Sequence, residues 1–429
     1  MLAILTTHPI QYQVPIWQAL ARDGRVPFEV WYMSDHATRV SHDVEFGTKF
    51  AWDIDLLSGY PHQFLQVPDK VHPASFWHCR MKERLRDRLR ANGVKVLWIQ
   101  GWQVAGYWQA VHEARCAGVE IWLRGESNDL APVSGWKKIV KRVVLGQLFR
   151  RVGKFLCIGT ANRRLYRQFG VPEAKLLAAP YAVDNARFRR QKAEIEKQKA
   201  EPNEVRPTAA GSPEGSEAHQ IEKQKLEIRK RWGIADNAFC VLFCGKFIPK
   251  KRPLDLVQAA SLLIEDKRLP NVHLLFTGSG ELGNELRAAC QVVFDAESDP
   301  STIIHQPSTR PPASFAGFLN QTQISEAYVA ADCLVLPSDF GETWGLVVNE
   351  ALASGLPCII SDHCGSAEDL GARPPNQIFP CGDSAALADR LCWLAQSPEA
   401  AKVGPEVLHG YSFDHCVQSV VDAYQDSSS

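Results

Sequence analysis

No apolar run in this sequence reaches the roughly 18 residues that a bilayer-spanning helix needs, and the opening MLAILTTHPIQY has neither a basic start nor a long apolar stretch. A spanning helix is therefore not expected, and the first residues read as a strand rather than a leader, which implies a cytoplasmic setting. Net charge is also lacking, because 48 Lys and Arg balance 48 Asp and Glu, and that argues against a nucleic-acid-binding protein as a whole. The 12 cysteines show no paired metal-ligand spacing, and most lie in apolar stretches such as KFLCIGT, FCVLFCG and LPCIIS. We read them as small buried hydrophobes, with no metal site and no disulfide framework.

At 429 residues the chain is too long for one core, which stops growing at about 250 to 300 residues. Apolar content of 45% and charged content of 22% are ordinary for globular domains. Strand-like runs (LAILTTH, FEVWYMS, VKVLWIQG, VEIWLRG, then CVLFCGK, VHLLFTG, ADCLVLPS) alternate with helix-length segments, the pattern of doubly wound parallel sheets. A polar stretch from about Arg189 to Lys230 separates two such sets. Within it IEKQKA at 195–200 recurs as IEKQKL at 221–226, and we assign this short duplication no chemistry. The reading is two α/β domains, 1–188 and 231–410, joined by a 189–230 linker or insert. Ligands of open parallel sheets bind at the carboxyl ends of the strands, so a cleft between two such sheets is where function is expected.

The segment SDFGETWGLVVNEALASGLPCIIS places Glu342 and Glu350 eight residues apart. From Leu346 to Ala353 the pattern is a helix apolar on nearly all sides, hence buried, and a carboxylate inside it is costly unless hydrogen-bonded. Glu350 is read as an acceptor for a ligand's hydroxyls, with a structural ion pair as the alternative. Eight residues of helix span at most about 12 Å, similar to a nucleoside diphosphate sugar from ribose to sugar ring. Unpaired N–H groups from Thr343 through Trp344 and Gly345 to Leu346 suit an anion. The loop GKFIPKKRP after the strand FCVLFCG adds Gly245, Lys246 and Lys251 at a strand's carboxyl end, where the lysines can neutralise a diphosphate. Gly278, Gly280 and Gly283 spell GxGxxG after another strand, with Asp295 near the place of a ribose-binding acid. A nicotinamide-dependent oxidoreductase is thus a remote rival, since that fingerprint ordinarily opens its domain.

GKFIPKK, TGSGE and SDFGETWGLVVNEALASGLPCII resemble family four of the retaining glycosyltransferases, whose fold, GT-B, comprises two facing Rossmann-like domains. LLAAPYAVDNARF, with Asp184 and Phe188, is similar to the family's strand and turn at the end of the first domain. The resemblance implies that Glu350 holds the donor ribose, that Glu342 and the nearby N–H groups contact donor sugar and phosphate, and that Lys246 and Lys251 bind the diphosphate. Lysine stands at the first cation position, where the family usually has arginine, so bidentate geometry is lost. It further implies transfer with retention, no cofactor, no bound metal, a nucleoside-diphosphate sugar as co-substrate, and a C-terminal helix (about 411–429) returning to the first domain. A nucleotide-sugar epimerase of the same fold and a non-catalytic sugar-nucleotide-binding protein are the alternatives.

The loop after the first strand, THPIQYQVP, has no glycine pair and is similar to a bacterial subset of the family that also carries DVEFG, WDIDLLSGY and RGES segments. His8, Gln11 and Tyr12 are read as acceptor-contacting side chains, a turn-and-cap role remaining open, and Arg124 and Glu126 as cleft residues. Nine of 12 tryptophans precede residue 137; most are read as core, some as stacking surfaces for a sugar or lipid-linked acceptor. From His78 to Lys154 there are 16 Lys/Arg against 6 Asp/Glu, whereas from Asn320 to Ser429 there are 3 against 15. In GWKKIVKRVVLGQLFRRVGKF, helical spacing puts Trp136, Ile139, Val140, Val143, Val144 and Leu148 on one face and Lys137, Lys138, Lys141 and Arg142 on the other. That suits either a half-buried domain helix or peripheral contact with an anionic membrane, the inner face in this case.

Overall fold

The computed structural model describes residues 1–36, 41–43, 48–50, 53–67, 75–132, 135–197, 224–298 and 309–427. Most of the DVEFG segment and the middle of the polar stretch lie outside them. The chain forms two compact units, one of Met1–His42, Lys49–Val183 and His409–Ser429, the other of Asp43–Thr48 and Asp184–Leu408.

The first unit is built on a parallel sheet of β1 (Leu2–Thr6), β2 (Phe28–Tyr32), β5 (His62–Phe64), β6 (Val96–Ile99), β7 (Glu120–Leu123), β8 (Lys154–Cys157) and β9 (Leu176–Ala178), in the order β5-β2-β1-β6-β7-β8-β9. A separate ribbon pairs β3 (Ser41–Asp43) with β4 (Thr48–Phe50). The central strands LAILT and VLWI are continuously apolar because both sheet faces are covered. Alternate residues serve the two faces: Ala3, Leu5, Leu97 and Ile99 join one core, and Leu2, Ile4, Val96 and Trp98 the other. The first core is closed by α2 (Leu85–Ala91), α3 (Ala105–Ala117) and the end of α4 (Gly135–Phe149). The second is closed by α1 (Val14–Asp23), which ends at Gly24 in the left-handed region, and by α13 (Phe413–Asp426), whose Cys416, Val417, Val420 and Val421 are buried there. Ser412 caps α13 by accepting from the His415 N–H. Helix α5 (Thr160–Gln168) connects β8 to β9.

The second unit repeats the plan. Its strands are β10 (Phe239–Cys244), β11 (Val272–Thr277), β12 (Gln291–Asp295), β13 (Pro312–Phe315), β14 (Cys333–Leu336), β15 (Cys358–Ser361) and β16 (Gln377–Phe379), all parallel, in the order β12-β13-β11-β10-β14-β15-β16. Its helices are α6 (Asn185–Lys197), a helical stretch α7 over 224–231, α8 (Pro253–Glu265), α9 (Gly283–Ala289), α10 (Ile324–Ala330), α11 (Leu346–Ala353) and α12 (Ser384–Gln396).

The stretch expected to be a polar linker is structured at both ends. Its first residues continue α6, which packs on α10 and α11. Near its other end Arg229 is buried, donating to the Ala330 and Ala238 carbonyls and to Asp332 Oδ2 at 2.6 Å. Polar composition concealed this, because a buried arginine looks like a surface charge until its partners are known. All 12 cysteines are free thiols, 9 of them buried, and burial pushes those of Cys157, Cys240 and Cys290 up to about 12.

Candidate functional site

In both sheets the winding reverses beside the first strand, between β1 and β6 and between β10 and β14, and such switch points open a crevice at the strand carboxyl ends. In the second unit the loops leaving β10 and β14 carry Lys246 and Lys251, and Glu342. The Asp339 N–H donates to the Lys250 carbonyl at 2.8 Å, tying the two loops together. Lys251 ends the short 3-10 helix Pro249–Lys251, and its Nζ forms a close ion pair with Glu342 Oε2. Ser338 Oγ donates to the same oxygen at 3.3 Å. Both charges are largely shielded from solvent, so the pair strengthens in low dielectric and is costly to break by removing one partner.

Glu350 is buried on α11. Tyr328, on α10, donates its hydroxyl to Glu350 Oε2 at 2.7 Å, and that ring meets Phe188 edge-on with centroids 6.0 Å apart. Phe188 is itself fully buried, and Asp184 caps its helix by accepting from the Arg187 N–H at 2.8 Å. The Asp184 and Phe188 turn thus supports the tyrosine that orients Glu350. Burial, and then the nearby Glu350 carboxylate, push the Cys244 thiol up to about 11, which places Glu350 beside the end of β10.

Helix α11 has no side-chain N-cap; Gly345 occupies that position at φ 94°. Trp344 is buried and donates Nε1–H to Asn349 Oδ1 at 2.8 Å, so its indole is committed to the helix. The turn is clamped by the loop after β15, where the Gly365 and Ser366 N–H groups donate to the Glu342 and Trp344 carbonyls. A Cβ at Gly365 would lie 1.8 Å from the Thr343 carbonyl oxygen, so only glycine fits. Ser366 Oγ is buried with no hydrogen-bond partner among the described residues. Tyr328, Ser338 and Ser366 were not found by sequence reasoning. The only signal was the GS pair at a strand's carboxyl end.

The GxGxxG segment has another role. A Cβ at Gly278 would lie 2.0 Å from the Gly245 carbonyl oxygen, so this glycine lets the loops after β10 and β11 cross. Asp295 receives Arg287 Nε and Nη2 at 2.7 and 3.0 Å and the Ser298 hydroxyl at 2.8 Å. Burial pushes its pKa up, yet these bonds outweigh burial and hold it below the usual carboxylate range. An acid so engaged is not available to a ribose.

In the first unit the acceptor candidates divide. His8 Nδ1 pairs with Thr7 Oγ1 at 2.9 Å and its ring meets His36 edge-on. Gln11 and Tyr12 form the turn leading into α1, but the glutamine that reaches Glu126 is Gln13, whose Nε2 donates to Glu126 Oε1 at 3.3 Å. Arg124 is fully buried, its guanidinium over the Tyr181 ring at 5.0 Å. Neither its Nε and Nη2 nor the side-chain amide of buried Gln100 has a hydrogen-bond partner among the described residues. Register pairs Ile99 with Leu123, so Gln100 and Arg124 are neighbours at the same sheet edge.

Residues 224–403 match the family model described as Glycosyl transferases group 1. A D-inositol 3-phosphate glycosyltransferase of Pseudarthrobacter chlorophenolicus is 35% identical over 136 residues, covering 32% of this chain and 29% of that protein. A UDP-Gal:alpha-D-GlcNAc-diphosphoundecaprenol alpha-1,3-galactosyltransferase of Escherichia coli is 30% identical over 149 residues, covering 35% and 34%. The chain spans half or less of the length of the curated relatives it matches. Among solved structures, Anabaena Alr3699/HepE in complex with UDP aligns over 99% of both chains with a TM-score of 0.64 at 13% identity. Sucrose-phosphate synthase from Thermosynechococcus elongatus aligns over 99% of this chain and 98% of its own, with a TM-score of 0.64 at 15% identity. These likenesses show the GT-B fold of two parallel-sheet α/β domains.

Proposed function

We propose that this protein is a glycosyltransferase that moves a sugar from a nucleoside-diphosphate donor to a glycan or lipid-linked acceptor, with retention of anomeric configuration and without a bound metal or cofactor. The observation that carries this reading is the juxtaposition, inside the segment matching the transferase family, of a buried carboxylate on α11 with a lysine–glutamate pair at the β10/β14 switch point. The HepE neighbour's complex with UDP supports a uridine nucleotide as the first donor to test.

In this reading Glu350, held by Tyr328, accepts hydrogen bonds from the donor ribose. Lys246 and Lys251 neutralise the diphosphate, which releases Glu342 from its lysine to receive the sugar's hydroxyls. The N–H groups at the start of α11, with Gly245 and Thr343 on the flanking loops, line the phosphate side. As the glycosidic bond to phosphate breaks, the leaving diphosphate gains charge, and fixed cations and N–H dipoles stabilise it most at that point. Its oxygen takes the acceptor hydroxyl's proton on the face from which it departs, which preserves configuration. His8, Gln11, Tyr12, Arg124 and Glu126 are assigned to the acceptor. Its product belongs to polysaccharide, glycolipid or other cell-surface glycan synthesis, and the protein's place is the cytoplasmic side of a membrane, held peripherally. Among the described residues no helix is long and apolar enough to cross it.

A thermal-shift screen against nucleotide sugars, free nucleoside diphosphates and NAD tests this. A ligand at 100 times its dissociation constant stabilises by about 2.7 kcal/mol, a shift of several degrees. Stabilisation by one nucleotide sugar, lost in Glu350→Ala, supports the reading. A response to NAD alone would overturn it.

A further inference from the structure

We infer that α4 is the surface through which this protein docks on an anionic lipid bilayer. The inference rests on the membrane setting proposed above and names the element responsible. Helical spacing alone allowed the apolar face of Gly135–Phe149 to be a half-buried domain face. Among the described side chains of α4, only Leu145, Leu148 and Phe149, at its end, enter the core. Trp136, Ile139, Val140, Val143 and Val144 remain 44% to 70% exposed. They recur at i, i+3, i+4, i+7 and i+8, which is one stripe of a helix. An apolar stripe of this size on one helix marks a surface that something covers.

Charge identifies the cover. Between residues 130 and 172 there are ten Lys and Arg and no Asp or Glu; Arg163, Arg164 and Arg167 among them pair with Glu173 and Asp129 just outside that span. Lys138, Lys141 and Arg142 occupy the face opposite the stripe and have no ion pair among the described residues; with Asn128, Asp129 and Gln168 they line a groove of about 420 Å³ on that side of α4. On the other side, α3 and α4 enclose a groove of about 700 Å³ with apolar walls that include Trp108, Val111 and Val143, and with Arg115 and Arg151 also lining it. A short helix with an apolar stripe and a cationic opposite face lies in the plane of an anionic membrane, its stripe among the acyl chains and its long cationic side chains reaching toward the phosphates. A second copy of the chain fits worse, because a two-fold contact through the same stripe brings like charges together.

The test is co-sedimentation of the full chain with vesicles of phosphatidylcholine alone and of phosphatidylcholine mixed with phosphatidylglycerol, since such binding is sensitive to anionic lipid content. Wild type is expected to bind the anionic vesicles and to lose binding as salt rises. Ile139→Gln/Val143→Gln should lower the partition coefficient at least tenfold. Lys138→Gln/Lys141→Gln/Arg142→Gln should lower it on the order of 100-fold, at about fivefold per cation. Because these side chains are exposed, the thermal midpoint should not move. Undiminished binding by both variants overturns the inference. So does wild type that ignores vesicles but self-associates through Ile139 in sedimentation equilibrium, which would make the stripe a contact between copies. Nucleotide-sugar stabilisation, measured on the same samples without vesicles, reports separately on the transferase reading: the docking inference can fail while that response persists, and the response can fail while docking holds.

Discussion

The two sheets follow one winding plan, yet their carboxyl edges are built from different materials. At the β10–β14 edge the backbone does the shaping: Gly278 and Gly365 allow chain segments to touch, and Glu342 and Lys251 neutralise one another. At the β1–β6–β7 edge side chains do it. Buried Gln100 and Arg124 keep polar atoms without partners among the described residues, beside Gln13 and Glu126. An edge made of backbone crossings requires glycines at set spacings and suits a ligand common to many enzymes. An edge made of side chains can vary freely, which suits the part of a substrate that differs between enzymes. The family match over 224–403 contains the β10–β14 edge.

The sharpest way to break this comparison is Glu350→Gln, which keeps shape and the Tyr328 contact while removing charge. Transfer is expected to fall by about 100-fold or more, with the thermal midpoint within a few degrees. Wild-type transfer by the variant would mean that the second edge is only architecture.

Next in size is an acid effect confined to the second unit. His273 is buried on β11, and its Nε2 lies 2.8 Å from Ser314 Oγ, whose hydroxyl donates to the Trp232 carbonyl. Burial lowers its pKa to about 4. Between about 4 and the ordinary value near 6.5 the unfolded chain binds a proton that the folded unit does not, so stability falls as pH drops through this window, by roughly 3 kcal/mol at most. Urea titrations at pH 7 and pH 4.5 should show the loss, and His273→Leu should flatten it. An unchanged pH slope in that variant would remove the histidine from the account.

A smaller effect is expected from Lys251→Met. It leaves Glu342 without its cation, and because both side chains of the pair keep some solvent contact the cost lies nearer that of a surface pair than of a buried one: stability should drop by about 1 kcal/mol and affinity for a nucleoside diphosphate by about tenfold. A double-mutant cycle with Glu342→Gln should recover the coupling in the unliganded protein. Additive effects would show that the ion pair does not couple the two residues.

Much of this was legible in advance, and unevenly so. Alternating apolar runs predicted two doubly wound domains because parallel strands buried on both faces must be continuously apolar. Glu350 was legible because a lone carboxylate in an all-apolar helix demands an explanation. Tyr328 and Ser338 were not, since each is brought to its glutamate by chain folding and neither breaks a local pattern. Gln13 was not legible either, because the turn before α1, and no local pattern, brings it to Glu126. The exposure of α4 was beyond reach too: helical spacing identifies an apolar face but not what it meets.

Arg124→Met carries the smallest expected effect and probes the first edge most directly. Removing one member of a fully paired buried ion cluster costs about 3 to 5 kcal/mol, whereas replacing a poorly paired buried charge by an apolar side chain of similar length is neutral or stabilising. Nε and Nη2 are unpartnered among the described residues, Nη1 meets Cys416 Sγ at 4.0 Å and the guanidinium lies over the Tyr181 ring with no carboxylate paired to it among those residues, so the second case applies. The thermal midpoint should hold or rise by a degree or two, and affinity for the nucleotide should not change. If the guanidinium is reserved for the acceptor, its KM should rise about tenfold at constant nucleotide affinity, because one charge-assisted bond of 1.5 to 3 kcal/mol is lost. A variant destabilised by several kcal/mol would instead show that Arg124 is a structural residue of a satisfied core, and the contrast between the two edges would then reduce to the glycines.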